Sequence, residues 1–404
     1  MARILVVSGS YIVDHPKKDL GIVRELQRRG HRVRHVVIGR DVPPPYPRSA
    51  VEHDDDFRAV GSVWVNRRAG VLPFMVGSEV LLIPIHKGIG DLCRWAQRLG
   101  KVVVQHDNHG GLDSYYYGAD LAAVKGPYFA EFVRRRWGLA EDVVVSTGCV
   151  QFDAAVGLEV ERKSRDEFCR IYGLDPAKRI AVWLPTQDHR QRQYYEWSAN
   201  KYREICEIVS QTTNHNLIIK PHPADYLEDY KGGLTPDGQH GWLALFPQGA
   251  VCRPEHKYAC FRHCDVGLAN WSSIGLEFPI FRKPFLYVDV AENPRLEYLR
   301  QHPFTDHPVE HDRGAPVPGF VGQVCASAEL PRILETCSYE VKDEQLYDRH
   351  IARFLHRADG RAFERVADLV ERGCEMARTR RRRGRVRIAG AGPGAVENTT
   401  NRGA

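Results

Sequence analysis

RILVVSG (3–9), LGIVRELQRRG (20–30) and HRVRHVVIG (31–39) decide the fold. The first is a short, nearly unbroken apolar run, the pattern of a strand buried on both faces. The second sets Leu20, Ile22, Val23 and Leu26 at helical spacing and stops at Gly30, a residue suited to closing a helix. The third returns to a strand pattern. Strand, helix and strand within residues 3–39 make a βαβ unit, which demands a parallel sheet and a right-handed crossover.

The alternation continues outward. VLLIPIH (80–86), DLCRWAQRLG (91–100), KVVVQH (101–106) and VVVSTG (143–148) read as strand, helix, strand and strand. The polar helix in EVERKSRDEFCRIYGLDPAK (160–179) marks a domain boundary. A second alternation follows: RIAVWLPTQ (179–187), a helix through YREICEIVSQ (202–211), NLIIKPHP (216–223), a segment around GAVCRP, FRHCDVGLAN (261–270) as a strand, a helix from Ser272, and FLYVDV (285–290). The expected fold class is α/β, with two doubly wound Rossmann-like parallel-sheet domains, residues 1–158 and 159–375, facing across a cleft. An amphipathic helix in DGRAFERVADLVERGCE (359–375) should pack back on the body, and residues 376–404 should be a disordered Arg-rich tail. DVPPPYPRSAVEHDDD (41–56) reads as a solvated loop.

Composition narrows the function classes. The chain has 404 residues, 43% hydrophobic and 27% charged, which suits two globular domains. No window reaches the ~18 unbroken apolar residues of a membrane helix. MARILVVSGSY lacks the apolar core and cleavage site of a secretory signal and reads as a first strand. Residues 376–404 hold eight Arg against Glu397, so the net charge of +6 resides there and the body is close to neutral. The ten Cys are scattered singly, the usage expected of a reduced, cytoplasmic protein. Cys252, His256, Cys260, His263 and Cys264 lack a C-x2-C knuckle, so they read as ordinary structural residues and no metal is expected. Neither a G-x-x-x-x-G-K-[ST] loop nor G-x-G-x-x-G is present.

In doubly wound sheets ligands lie beyond the carboxyl ends of the strands, and three segments there carry chemistry. In LIIKPHP, Lys220 offers a point charge for a phosphate, and Pro221 and Pro223 stiffen the turn around His222. In DVGLANWSSIGLEFPIFRKPFLYVD, Ser272 or Ser273 stands at a helix N-cap, where unpaired N–H groups and two hydroxyls suit a diphosphate; Glu277, a turn further, suits a ribose. In VVVQHDNHGGLDS, His106 and His109 are candidates for a general base, Asp107 or Asp113 for its orienting group, and Gly110-Gly111 for close ligand approach. Each segment also has a plain structural reading: a strand-ending turn, a Ser N-cap, a packed histidine.

Taken together the motifs resemble the CDP-glycerol glycerophosphotransferases of teichoic-acid synthesis and the related capsule-polysaccharide transferases of the GT-B fold. The resemblance rests on Leu184-Pro185-Thr186, Ile219-Lys220-Pro221-His222-Pro223, Asn270-Trp271-Ser272-Ser273 leading to Glu277-Phe278 and Lys283-Pro284, and Asp359-Gly360-Arg361-Ala362 with Arg365-Val366. Lys125-Gly126-Pro127-Tyr128 and the stretch Thr147-Gly148-Cys149-Val150-Gln151-Phe152-Asp153 add to it. It implies a metal-independent transferase without cofactor, whose substrate is a nucleotide-activated donor, CDP-glycerol or a nucleotide sugar. Its N-terminal domain would face the acceptor, a hydroxyl on a lipid-linked or polymeric glycan of the cell wall or capsule. The family's His-Gly pair falls on His109-Gly110, which makes His109 the base, with His106 a second ring beside it. The other family histidine falls on His222, and Lys220, Ser272, Ser273, Glu277, Thr186 and Gly110 would contact donor or substrate. The Trp that usually precedes the His-Gly pair is missing here.

Other functions fit parts of the pattern. A UDP-N-acetylglucosamine 2-epimerase shares the fold type, but its Ser-Gly-Gly loop is missing. RTRRRRGRVR (378–387) would attract the phosphates of nucleic acid or of an anionic membrane, and the absence of an aromatic platform for bases favours a peripheral membrane contact. An inactive transferase serving as a scaffold is a further alternative.

Overall fold

The computed structural model describes residues 1–9, 15–39, 48–84, 90–107, 116–157, 164–185, 204–220, 250–253, 256–270, 273–289 and 321–390. Strands β1 (Arg3–Gly9), β2 (Arg32–Ile38), β3 (Val63–Val65), β4 (Val80–Pro84), β5 (Val102–His106), β6 (Leu121–Val124) and β7 (Val144–Ser146) form one sheet. Its order is β3-β2-β1-β4-β5-β6-β7, and every pairing is parallel. Strands β8 (Arg179–Trp183), β9 (His215–Ile219), β10 (Ala250–Val251), β11 (Val266–Ala269), β12 (Phe285–Asp289) and β13 (Gly322–Ala326) form the second, in the order β10-β9-β8-β11-β12-β13, again all parallel. The expected pair of doubly wound sheets is therefore what the chain builds. In each, the chain extends one edge and then returns to the other side of its first strand, so the switch points lie between β1 and β4 and between β8 and β11.

Helices cover both faces of the first sheet, which is why β4 and β5 are buried along their whole length. Helix α1 (Leu20–Arg28) buries Leu20, Ile22, Val23 and Leu26, and Gly30 after it takes the left-handed conformation at φ +82°. Helices α2 (Gly90–Arg98) and α3 (Pro127–Trp137) cross back from β4 and β6, while α4 (Val150–Gly157) follows β7. In the second half, α5 (Lys257–His263) precedes β11. The last helix, α6 (Ala362–Gly390), lays Val366, Ala367, Val370 and Cys374 against Ile4, Val6, Val80, Val102 and Val104 of the first sheet. A side chain at Gly373 would meet Val104 at 3.2 Å, so close helix-to-sheet approach needs a small residue there.

Two motif segments meet at the start of α6. Asp153 of α4 accepts hydrogen bonds from the Ala362 and Phe363 amides at 3.0 and 2.8 Å, capping the helix from another element. Arg365 donates through Nε to the Thr147 carbonyl at 2.6 Å and through both terminal nitrogens to Asp359 at 2.9 Å. These residues latch the end of the chain to the first sheet.

Four expectations are corrected. The C-terminal helix does not stop at 375 but runs through Gly390, because Ala377 still packs on the sheet and Arg380 and Arg381 pair with Asp120 and Glu79. FRHCDVGLAN splits into the end of α5 and β11. The acidic triple is a helix start, Asp54 accepting from the Asp56 amide at 2.9 Å. The segment after β11 is two 3-10 turns, Ser273–Leu276 and Phe278–Phe281, in place of an α-helix. Gly275 weakens a helix, and the ring of Pro279 would clash with the carbonyl four residues back.

Candidate active site at the carboxyl edges of the two sheets

The carboxyl edge of the first sheet carries a run of buried polar groups on the face covered by α1. Ser8 is the last residue but one of β1, His106 ends β5, and Asp19 stands just before α1; all three are inaccessible to solvent. Asp19 occupies an N-cap position, yet its side chain makes no cap bond. Instead it accepts from the Ser8 hydroxyl, and its other oxygen lies 3.4 Å from His106 Nε2. Ser8 Oγ is also 2.8 Å from His35 Nε2, and His35 Nδ1 is 2.7 Å from Ser62 Oγ. A hydrogen-bonded chain thus runs from Asp19 through Ser8 of β1 to His35 of β2 and on to Ser62, and His106 of β5 adjoins it through the ion-pair contact with Asp19. Burial pushes His35 down to about 3 and lowers His106, Asp19 and Asp107 pulling the latter back up, so His35 stays neutral at ordinary pH.

Beside this chain, the Lys125 ammonium sits 3.1 Å from Asp107 Oδ2 and 4.3 Å above the Phe129 ring, with both charged groups buried. Cys149 Sγ contacts the Asp107 carbonyl at 3.7 Å, and burial raises that thiol, so it is a packed thiol rather than a thiolate. An ion pair out of water in this way is costly unless geometry and hydrogen bonds are good, and it fixes the backbone at the ends of β5 and β6.

The second sheet contributes Lys220 and Glu277. Lys220 follows β9, its amide donating to the Trp183 carbonyl at the end of β8 at 2.9 Å, and it is buried. Its charge is felt by Cys260 on α5, whose thiol burial nonetheless raises. Glu277, between the two 3-10 turns, is buried as well; Lys257 Nζ lies 2.7 Å from one carboxylate oxygen and 3.0 Å from the other. Gln151 of α4 donates to Glu277 Oε1 at 3.0 Å and accepts from Lys18 Nζ at 3.0 Å, and the Tyr258 hydroxyl donates to the Gln151 carbonyl at 3.2 Å. The carboxyl edges of the two sheets therefore converge at Gln151 and Glu277.

Of the residues expected from sequence, Lys220 stands at the exit of β9, Ser273 opens the first 3-10 turn after β11, and Glu277 lies between that turn and the next. His109, Gly110, Thr186, His222 and Ser272 lie outside the described residues. Glu277 is engaged by Lys257 and Gln151, partners that the sequence reading did not foresee. A four-residue 3-10 turn carries little of the dipole that an α-helix from Ser272 would have brought. Asp19, Lys125, Gln151 and Lys257 were missed; the one signal available was that Lys125 and Gln151 fall in motif segments. Chemically, the first edge is a buried network of carboxylates and imidazoles, and the second holds two ammonium groups, the buried Lys220 and Lys257, the latter paired with Glu277.

No protein-family model matches the chain, and no curated protein matches it. Solved structures do. A putative UDP-N-acetylglucosamine 2-epimerase from Listeria monocytogenes matches with a TM-score of 0.58 at 12% identity, over 93% of this chain and 97% of that one. The wall teichoic acid polymerase TagF matches with a TM-score of 0.57 at 12% identity, over 92% and 89%. The UDP-GlcNAc 2-epimerase from Neisseria meningitidis, bound to UDP-GlcNAc, matches with a TM-score of 0.57 at 10% identity, over 92% and 100%. At such identities the likeness is one of fold, and it is the two-domain GT-B arrangement.

Proposed function

We propose that the protein is a transferase that moves glycerol phosphate or a sugar from a nucleotide-activated donor to a hydroxyl acceptor in cell-wall or capsule polymer synthesis. The observation that carries the reading is the convergence of the carboxyl edges of the two sheets, one rich in buried acid and imidazole groups, the other bearing the buried Lys220 and the Lys257–Glu277 pair. The fold-level likeness to TagF and to the UDP-GlcNAc 2-epimerase bound to UDP-GlcNAc supports a nucleotide-activated substrate.

In this reading the donor lies over the second sheet. Lys220, His222, Ser272 and Ser273 hold its phosphates without a metal, and Thr186 lines the same side. Charge grows on the leaving phosphate as the bond to phosphorus or to the anomeric carbon breaks, and fixed cationic and N–H donors stabilise it. His109, next to Gly110, takes the acceptor proton. The complete burial of His106 against Asp19 supports giving that role to His109 and a positioning role to His106.

The test is the thermal unfolding midpoint with CMP, CDP, UDP, UMP, GDP and CDP-glycerol, each with and without EDTA, followed by product analysis. Binding to the folded state must raise the midpoint. A rise with cytidine nucleotides that survives EDTA, and glycerol phosphate transfer abolished in His109→Ala, support the proposal. Stabilisation by UDP with conversion of UDP-N-acetylglucosamine in the absence of any acceptor makes the protein an epimerase, and stabilisation by none of the nucleotides sinks the donor site.

A further inference from the structure

A surface cavity of about 520 Å3 runs along the outer edge of β7, from Glu141 before the strand to Ser146 at its end. None of the residues placed at the candidate active site lines it. β7 closes the strand order, so no strand covers that edge. Helix α3 covers it instead, presenting Pro127, Ala130 and Arg134 on one face at helical spacing. The remaining wall belongs to the segment that carries the chain from β13 of the second sheet back to α6 on the first. There Ile351–Leu355 forms a π-helical turn, and His356 after it takes φ +61° and ψ −75°. A π-helical turn is rare and recurs at functional sites, and a non-glycine residue at such a φ holds strain that the surrounding packing must sustain. Here Phe354 packs on Tyr128 with ring centroids 4.8 Å apart, and a side chain at Gly126 would meet the Phe354 carbonyl at 2.5 Å.

Two arginines line the cavity, Arg134 and Arg353, and each keeps a buried Nε–H without an acceptor. Their terminal nitrogens are engaged: Arg134 donates to the Glu141 and Val144 carbonyls at 3.0 and 2.5 Å, and Arg353 to the Glu131 carboxylate at 2.9 Å. A buried donor left unpaired costs free energy, and two of them on one cavity call for an acceptor from outside the chain. The carboxylates of the lining do not serve. Glu131 is held by Arg353, and the Glu141 side chain is 90% exposed, 3.6 Å from Arg134. Burial, with the charges of Arg365 and Arg357, holds His356 below the usual imidazole range, so the field around this ring is positive. Pro127, Ala130 and Val145 add an apolar wall beside these donors.

We propose that this cavity is a second ligand site, which takes the carboxylate or phosphate group of a small organic anion. The planar guanidinium forks meet two oxygens of either group, and the apolar wall takes the organic part, so an inorganic ion binds less well. One side of the site belongs to the first sheet and its helix, the other to the returning segment, so an occupant bears on both halves of the chain. The inference needs no particular donor and stands or falls separately from the proposed reaction.

The experiment is isothermal titration of the full chain with benzoate, phenyl phosphate, inorganic phosphate and the neutral benzamide. Benzoate or phenyl phosphate should bind at one site, more tightly than inorganic phosphate, and benzamide should not bind; the stronger of the two probes identifies the oxyanion. Arg353→Gln should weaken that probe about ten- to a hundredfold. Ser146→Phe, which fills the cavity and keeps the arginines, should abolish its binding, and Lys220→Met should leave it unchanged. Circular dichroism melting identifies any variant that fails to fold, and Arg353→Lys then replaces Arg353→Gln, keeping a charge beside Glu131 without the planar fork, with an expected loss of about tenfold. If neither organic anion binds at millimolar concentration, or if the Arg353 and Ser146 variants bind it as the wild type does, the inference is wrong. It is equally wrong if benzamide binds as tightly as benzoate, or if Lys220→Met alone removes the probe, which would move the anion to the second sheet.

Discussion

Gln151 Nε2 donates to Glu277 Oε1 at 3.0 Å, and this bond joins an element that follows the first sheet to one that follows β11 of the second. Lys18 and Lys257 hold the far sides of the two partners, so a single line of polar contacts spans both edges.

Gln151→Ala should destabilise the protein by about 1 to 2 kcal/mol, the scale of a lost hydrogen bond to a buried charged group. Gln151→Glu should cost more, because it sets a second carboxylate beside Glu277, and Glu277→Gln in the same chain should recover most of the loss. Urea unfolding of the four proteins checks this; equal stabilities for Gln151→Ala and Gln151→Glu would contradict it.

Lys125→Met leaves Asp107 buried without its ammonium, and a loss of roughly 3 to 5 kcal/mol is expected. Replacing both, Lys125→Met with Asp107→Leu, removes two charges from the interior and should be far milder than the single change. A double-mutant cycle by denaturant melts gives the coupling directly.

Stability should fall on the acid side. Burial holds His35 and His350 down to about 3 and His215 down to about 4, against an ordinary value of 6.5. Neutral in the folded chain, these rings take up protons on unfolding, so their contribution is full above 6.5 and is lost as pH falls toward the folded values. Each can cost at most about 1.4 kcal/mol per pH unit. Asp153, which burial raises to about 6, works in the opposite sense below that pH. Unfolding free energies from about pH 7 to about pH 4.5 should decline, and His35→Gln should flatten the decline; a flat wild-type profile would show that these rings are accessible.

If Lys220 holds the donor phosphate as proposed, Lys220→Met should weaken nucleotide binding about ten- to a hundredfold while changing the melting temperature little, since a side chain of similar length remains. Isothermal titration with the nucleotide that stabilises the protein tests this, and unchanged affinity would remove Lys220 from the donor site.

The first βαβ unit was readable because RILVVSG is apolar throughout and α1 repeats its apolar positions at helical spacing. β3 and β6 were not: Val63–Val65 is a three-residue edge strand, and Leu121–Val124 contains two Ala, which carry no strand signal. At the site, the strand-exit rule pointed to Lys220, which the fold places just after β9, whereas Glu277 was expected one turn into a helix from Ser272 and instead lies between two 3-10 turns. Asp19 escaped because its meaning comes from Ser8 and His106, residues of two other strands that only the parallel sheet brings beside it. The 3-10 turns after β11 were foreshadowed by Gly275 and Pro279, whose backbone preferences outweigh the N-cap signal of the preceding serines.

Helix α6 has a consequence for how the protein is made. The last strand of the first sheet ends at Ser146, but the helix that covers one of its faces begins only at Ala362. At about 5 to 20 residues per second, a ribosome needs roughly ten to forty seconds to span that gap. Throughout it the nascent first half displays Ile4, Val6, Val80, Val102 and Val104 with their covering helix still unmade. Until α6 is made the helix Leu20–Arg28 covers only part of that face, so truncation before Ala362 should leave the amino-terminal half with exposed apolar surface and lower its solubility.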